Sequence, residues 1–533
     1  MIIPVEGIPH PFPNRQTERI YSFCFIFSCL RFLIIVRFRG TLYVTILFTA
    51  SGYGKADVTM KKDIQYTSPH NFYGLIPLKE ALPLGIQHVL SMFVGNMTPL
   101  LLICGACEIG NSDPELFIVL LQNAMLVAGL VTLVQLYSIG PVGGKVPIVM
   151  GTSSSFLGIF QVIVEKSGGG ILAYGLILGA SIVGGLVEAV LGFFIKPLRK
   201  LFPPVVTGIV VLTIGLSLIP IGVQSFAGGM DSPDFGSVEN VLIALAVMTV
   251  TILVKHFTKG TLHRSAVLAG ILFGYVLCSL LAFILPTTGV AADGTVFTKA
   301  WVIPWDKVAE AKWISIPKLL PVQPVFRLNA ILPLIPLFIV TSIETLGDTA
   351  GCVEGGMDRE ATDKELSGAV ICDGLGSSFA ALFGVLPNSS FSQNVGLVTM
   401  TKVVNRFALS TGALFLVLCG LCPKLAAMLS IMPGSVLGGA AILMFSSIAL
   451  SGIQLINKDG FSQRIITIVS ASLGLGFGFS AVAGATQGFG PAVSMLFSGS
   501  GIFPAAVVSV LLNLILPKDQ NEPSQQPQNR NAE

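Results

Sequence analysis

From residue 82 to residue 516 the chain repeats one pattern, a run of about 20 apolar residues followed by a short polar break. A bilayer's hydrocarbon core is about 30 Å thick and a helix rises about 1.5 Å per residue, so each run has the length one crossing needs. Composition agrees. Apolar residues make up 53% of the 533 and charged residues 11%, a balance outside that of water-soluble domains. The formal charge of +3 sits in residues 1–59, which hold six Lys/Arg against three Asp/Glu; the rest balances to zero, which excludes a nucleic-acid footprint. Nine cysteines, including Cys104/Cys107 and Cys419/Cys422, fall mostly inside apolar runs, where a thiol behaves as a small hydrophobe. Neither a disulfide framework nor a metal or cofactor site is expected from them.

Spans are expected at 82–104, 116–138, 147–164, 171–195, 204–222, 238–255 and 265–285, then at 330–350, 366–385, 390–402, 407–422, 432–453, 464–481 and 493–516. Basic residues test that count, because they gather in cytoplasmic loops. Lys145, then Lys196, Arg199 and Lys200, then Lys255, Lys259 and Arg264 fall in alternate loops of the first half. Arg359 and Lys364, Lys402 and Arg406, and Lys458 and Arg464 do so in the second, whereas the other short loops hold only Lys166 and Lys424. Both ends of the helical part are then cytoplasmic and the 286–328 loop is external. Two halves of seven spans each must lie upside down to one another, the plan of many secondary transporters. The expected fold is therefore an all-α polytopic membrane protein with 14 transmembrane spans in two inverted 7-span repeats, 82–285 and 329–516, flanked by cytoplasmic segments 60–81 and 517–533. Residues 1–59 stand apart. Their apolar patches are interrupted by Arg31, Arg37 and Arg39, so they form neither a clean span nor a clean signal peptide; with Met60-Lys61-Lys62 as a natural start, 1–59 is expected to be a dispensable extension.

Spans 3 and 10 are the exceptions to the apolar rule. One contains Pro147, Gly151 and Thr152-Ser153-Ser154-Ser155-Phe156; the other contains Pro387-Asn388-Ser389-Ser390-Phe391-Ser392-Gln393-Asn394. Pro and Gly weaken a full helix and Ser or Thr can satisfy the released backbone groups, so both are expected to be short extended segments leading into half-helices. Half-helix N-termini meeting near the midplane present amides and positive dipole ends to a polar ligand. Carboxylates within the spans are the second anomaly. Glu344 and Asp348 lie at i and i+4 on one helix face, and Asp373 lies in span 9. Ionisable groups that deep are functional candidates, as is His88 in span 1. Glu188 reads as a packing group, and Gly474, Gly476 and Gly478 as close helix packing, since no strand precedes them.

The decapeptide Gln393-Asn394-Val395-Gly396-Leu397-Val398-Thr399-Met400-Thr401-Lys402, with Gln87-His88, the Thr152-to-Phe156 segment, Glu344 with Asp348, and Asp373-Gly374 in the same order, resembles the nucleobase/ascorbate transporter family, also called xanthine/uracil permeases. The resemblance covers about residues 75–516 and implies a core of spans 1–4 and 8–11 against a gate of spans 5–7 and 12–14, through which members often form homodimers. It implies substrate contacts from Glu344, Gln393, Phe156, Ser392 and Asn394, and coupling roles for Asp373, Asp348, Glu344 and His88. Glutamine at position 393 resembles the members that carry oxidised purines rather than the uracil or ascorbate carriers. The chemistry is consistent with that. A purine edge alternates N–H donors and C=O acceptors, which a carboxylate and a primary amide complement.

The expected function is plasma (inner) membrane import of a purine nucleobase, xanthine or uric acid, by symport with a proton or sodium ion and an elevator-like movement of core against gate. A uracil or other nucleobase permease is the alternative, with an anion carrier of the same architecture behind it. An enzyme is not expected, because neither H-E-x-x-H nor G-x-S-x-G occurs.

Overall fold

The computed structural model describes residues 35–38, 41–44, 66–195, 202–230, 232–290, 295–482 and 501–517, with isolated positions 485, 486, 488 and 497. It divides into two units, Met1–Tyr66 and Thr67–Glu533. In the first, strands β1 (Ile35–Phe38) and β2 (Thr41–Val44) pair antiparallel, with Ile35 opposite Val44. The expectations for the rest of 1–59 and for the tail 518–533 lie outside the described residues.

Among the described residues of the second unit the helices of eight or more residues are α1 (Leu78–Ala106), α2 (Pro114–Tyr137), α3 (Leu157–Ser167), α4 (Gly170–Gly192), α5 (Pro204–Phe226), α6 (Val238–Phe257), α7 (Ala266–Ile284), α8 (Leu328–Met357), α9 (Asp363–Leu382), α10 (Ser392–Thr401), α11 (Arg406–Gly420), α12 (Pro423–Ser430), α13 (Gly434–Lys458), α14 (Gln463–Ala481) and α15 (Ile502–Ile515). Strand β3 (Met150–Thr152) precedes α3, β4 (Thr288–Val290) and β5 (Val296–Thr298) form a hairpin in the long loop, and β6 (Asn388–Ser390) precedes α10. Among the described residues eight helices, α1, α2, α4 to α8 and α13, are long and apolar enough to cross a membrane, or nine if α11 and α12 count as one bent span. The chain is a mostly helical, multi-pass membrane protein.

Local chemistry sets several of the boundaries. Asp113 caps α2, accepting from Leu116 N at 2.9 Å, with Pro114 in the first turn where a missing N–H is harmless. Thr362 and Glu365 close a capping box at the start of α9, and Asn405 Oδ1 accepts from Phe407 N and Ala408 N at 3.1 Å each to start α11. One feature departs from the sequence expectation. Span 11 does not end in a simple loop; the chain turns by 81° into α12, and Pro423 supplies the break because it has no N–H to continue α11.

The principal helix contacts are α5 with α13, α4 with α9, α2 with α11, α1 with α11, and α4 with α8. Lipid tails are as apolar as leucine, so helices in a bilayer associate largely through close packing, which small residues permit. A Cβ on Gly412 of α11 would lie 2.3 Å from the Gly85 oxygen of α1, and one on Gly374 of α9 would lie 2.4 Å from the Gly185 oxygen of α4. Helices α6 and α7 are only 28% buried along their most apolar stretch, against 56% to 78% in the other membrane-length helices. Much of their apolar surface faces outward.

Candidate functional site

The two Ser-rich stretches meet. Strands β3 and β6 pair antiparallel, Met150 opposite Ser390, Gly151 opposite Ser389 and Thr152 opposite Asn388. Ser153 N donates to Pro387 O at 2.8 Å and Phe391 N to Val149 O at 3.2 Å, which extends the pairing by one residue at each end. Side chains satisfy most of what the short ladder leaves open, as a water-free interior requires. Thr152 N donates to Asn96 Oδ1 at 2.7 Å, Met150 N to Thr132 Oγ1 at 2.9 Å, and Asn388 N to Ser377 Oγ at 3.1 Å. Helix α3 starts after Phe156 and α10 after Phe391, so both half-helices begin at this ladder.

Between the ladder and the α5–α13 pair lies a small cavity of about 30 Å³. Ser153, Ser155, Glu344, Ser390, Phe391 and Ser392 line one side; Ile214, Met444, Phe445 and Ile448 line the other. It has room for about two waters. The Phe391 ring is held between two glycines: a Cβ on Gly95 would lie 2.7 Å from its Cε1, and one on Gly151 would lie 2.6 Å from its Cε2.

Helix α8 distributes the carboxylates. Glu344 accepts from Ser155 Oγ at 2.8 Å, on the first broken span. Asp348, one turn on, accepts from Ser390 Oγ at 2.7 Å and Ser392 Oγ at 3.0 Å, on the second, both at Oδ2. Asp373 of α9 accepts from Thr345 Oγ1. Glu188 of α4 lies 3.2 Å from both Thr341 Oγ1 and Ser342 Oγ. All four are buried, and among the described residues none pairs with a Lys or Arg.

The remaining expected residues fall in different places. His88 Nδ1 and Asn394 Oδ1 are 2.6 Å apart, and Asn394 Nδ2 donates to Pro147 O at 3.1 Å, so this buried pair ties α1 and α10 to the approach of β3 without lining the cavity. Gln393 is the second residue of α10, beside the cavity-lining Ser392, and its side chain lies outside the described residues. Phe156 does not line the cavity. Its ring stacks on Phe160 at 5.7 Å and meets Phe338 of α8 at 4.5 Å, while Phe391 supplies the aromatic wall. The sequence alone does not single out Ser155, Ser390 or Phe391 as cavity residues, nor the α13 wall of Met444, Phe445 and Ile448. The Ser-rich signal contained the first three; an ordinary apolar span hid the others. Among the described residues no group of three or more His, Cys, Asp or Glu is arranged to hold a metal ion.

Half-helix termini meeting at a polar cavity inside a helical membrane protein define a solute carrier. A family model described as a permease family, that of the xanthine/uracil permeases, matches residues 79–484, and the chain belongs to this nucleobase/ascorbate transporter family. The chain is similar to a putative purine permease of Clostridium perfringens, 34% identical over 86% of this chain and 95% of that one. It is 30% identical to xanthine permease XanP of Escherichia coli, over 83% of this chain and 93% of that one. Uric acid permease PucJ of Bacillus subtilis is 33% identical, over 81% and 91%. Among solved structures, the transmembrane domain of the cyanobacterial bicarbonate transporter BicA is similar with a TM-score of 0.49 and 13% identity, over 82% of this chain and 97% of that one. Membership makes the chain a permease and not an enzyme.

Proposed function

We propose that this permease imports an oxidised purine, xanthine or uric acid, with a proton, across the plasma membrane. The observation that carries the reading is the position of Glu344 at the cavity between the two broken spans. Ser155 engages its Oε2 and leaves Oε1 to accept from a ring N–H. Gln393 reads the opposite edge, Ser392 and Asn394 shape the approach, and Phe391 covers the ring face, with Phe156 joining it as the cavity widens. A site built this way rejects analogues that leave its buried polar groups unpaired. The named substrates of relatives in Escherichia coli and Bacillus subtilis support the choice of purine.

In this reading α1–α4 and α8–α11 form a core that moves, elevator-like, against a gate of α5–α7 and α13–α15, through which two copies associate. Two corresponding repeats in the core are supported by the contact pattern, and the proposal sets them inverted, with fourteen spans in all. Exchanging each of α1–α4 with the helix seven places on turns the α2–α11 contact into α9–α4, and the α1–α11 contact into α8–α4; all four are principal contacts. A carboxylate among Glu344, Asp348 and Asp373 takes the proton, with His88 acting through Asn394, and both ends of the helical part face the cytoplasm. Uptake of labelled xanthine in a transport-deficient host, challenged with uric acid, hypoxanthine, guanine, uracil and ascorbate, tests this. Competition by uric acid and abolition by a protonophore at fixed sodium are expected; competition by uracil alone, or uptake that follows the sodium gradient, contradicts it.

A further inference from the structure

We infer that Glu188 of α4 and Asp373 of α9 form a carboxyl pair that shares one proton and belongs to the coupling machinery of the transport proposed above, an inference that rests on that reading. The backbones of α4 and α9 approach closely beside these residues. A Cβ on Gly185 would lie 2.5 Å from Gly374 O, and one on Gly374 would lie 2.3 Å from Ala189 N. The residues next to those contacts are the two carboxylates. Both are anchored to one strip of α8, because Thr341 faces Glu188, Thr345 donates to Asp373, and residues at i and i+4 stand one turn apart.

Hydroxyl geometry shows where a proton fits. Thr341 Oγ1 and Ser342 Oγ each lie 3.2 Å from Glu188 Oε1, yet they also lie 3.1 Å and 2.9 Å from Phe338 O. A hydroxyl has one proton to donate. When it goes to the Phe338 carbonyl, as it does for a Ser or Thr bonding back one turn, the hydroxyl can only accept from Glu188, which must then carry the proton. On the other side, Asp373 Oδ1 is buried without a hydrogen-bond partner. With one proton between them, the pair carries a single negative charge; protonation forms an O–H bond on one carboxylate and release breaks it. Among the described residues, the helices packed on α4 bring no cation to this place. Helix α8 contributes Glu344 and Asp348, α9 contributes Asp373 beside Cys372, and α3 places Glu165 and Lys166 only at its exposed end.

The test uses the full chain in proteoliposomes, with wild type, Glu188→Gln and Glu188→Asp. Three quantities are read: xanthine accumulation driven by an imposed pH gradient, xanthine exchange at equal pH, and substrate-induced proton uptake. Glutamine fixes the neutral form, so Glu188→Gln is expected to keep exchange within about threefold, lose about tenfold in driven accumulation, and show a flattened pH profile, while aspartate restores the coupling. A Glu188→Gln protein with the wild-type pH profile and proton uptake overturns the inference. Should that variant fail to insert, Thr341→Val with Ser342→Ala removes the two hydroxyls that accept from the protonated carboxyl and is expected to lower the pH midpoint of uptake by about one unit, the equivalent of one hydrogen bond to the protonated form. An unmoved midpoint overturns the inference equally. Wild type that moves neither xanthine nor uric acid, or moves them without protons, defeats the proposed function first and this inference with it.

Discussion

The two broken spans look alike in sequence and in backbone, each a three-residue strand followed by a half-helix, but their side chains serve α8 differently. The first sends a single hydroxyl, Ser155, to Glu344. The second sends two, Ser390 and Ser392, to the same oxygen of Asp348. Glu344 is left with capacity at the cavity, whereas Asp348 does not line it and is occupied in fixing the entry to α10. On our account an i, i+4 pair that looks redundant on a helical wheel divides its work, one carboxylate for substrate and one for position.

Mutations can break that division or sharpen it. The largest effect is expected from Glu344→Ala, which removes the acceptor of charge-assisted hydrogen bonds and should lower purine affinity about 100-fold with normal membrane insertion; retained affinity ends the assignment. Asp348→Asn should lower the uptake rate about tenfold while leaving affinity within about threefold, the pattern of a group that positions rather than binds. A KM that rises with the rate unchanged would place Asp348 at the substrate instead. Smallest of all, Ser155→Ala should raise KM about threefold through loss of one donor to Glu344, and Ser392→Ala should show its effect in rate rather than KM. Kinetics of labelled uptake over a range of concentrations distinguish these outcomes.

Much of this was legible before any coordinates. Runs of apolar residues marked the long helices, and Pro147 and Pro387 with their serines marked the paired stretches, because those residues weaken a full helix. The carboxylate spacing put Glu344 and Asp348 on one face of α8. Tertiary packing decided the rest. Whether Phe156 or Phe391 walls the cavity depends on which way a residue at a half-helix start turns, and only the seat between Gly95 and Gly151 settles it for Phe391. For Glu188 the sequence supports only a packing reading; that α4 and α9, far apart in sequence, bring Gly185 against Gly374 beside Glu188 and Asp373 is visible only in the fold. Pro423 was visible, but the 81° turn it permits depends on what surrounds α12.

Calorimetric binding of xanthine and uric acid to the purified chain, alongside Glu344→Gln and Asp348→Asn, tests the division of labour most directly. The account predicts binding to wild type and to Asp348→Asn within about threefold, and loss of about 100-fold or more with Glu344→Gln. Unchanged binding by Glu344→Gln, or equal loss in both variants, would contradict it.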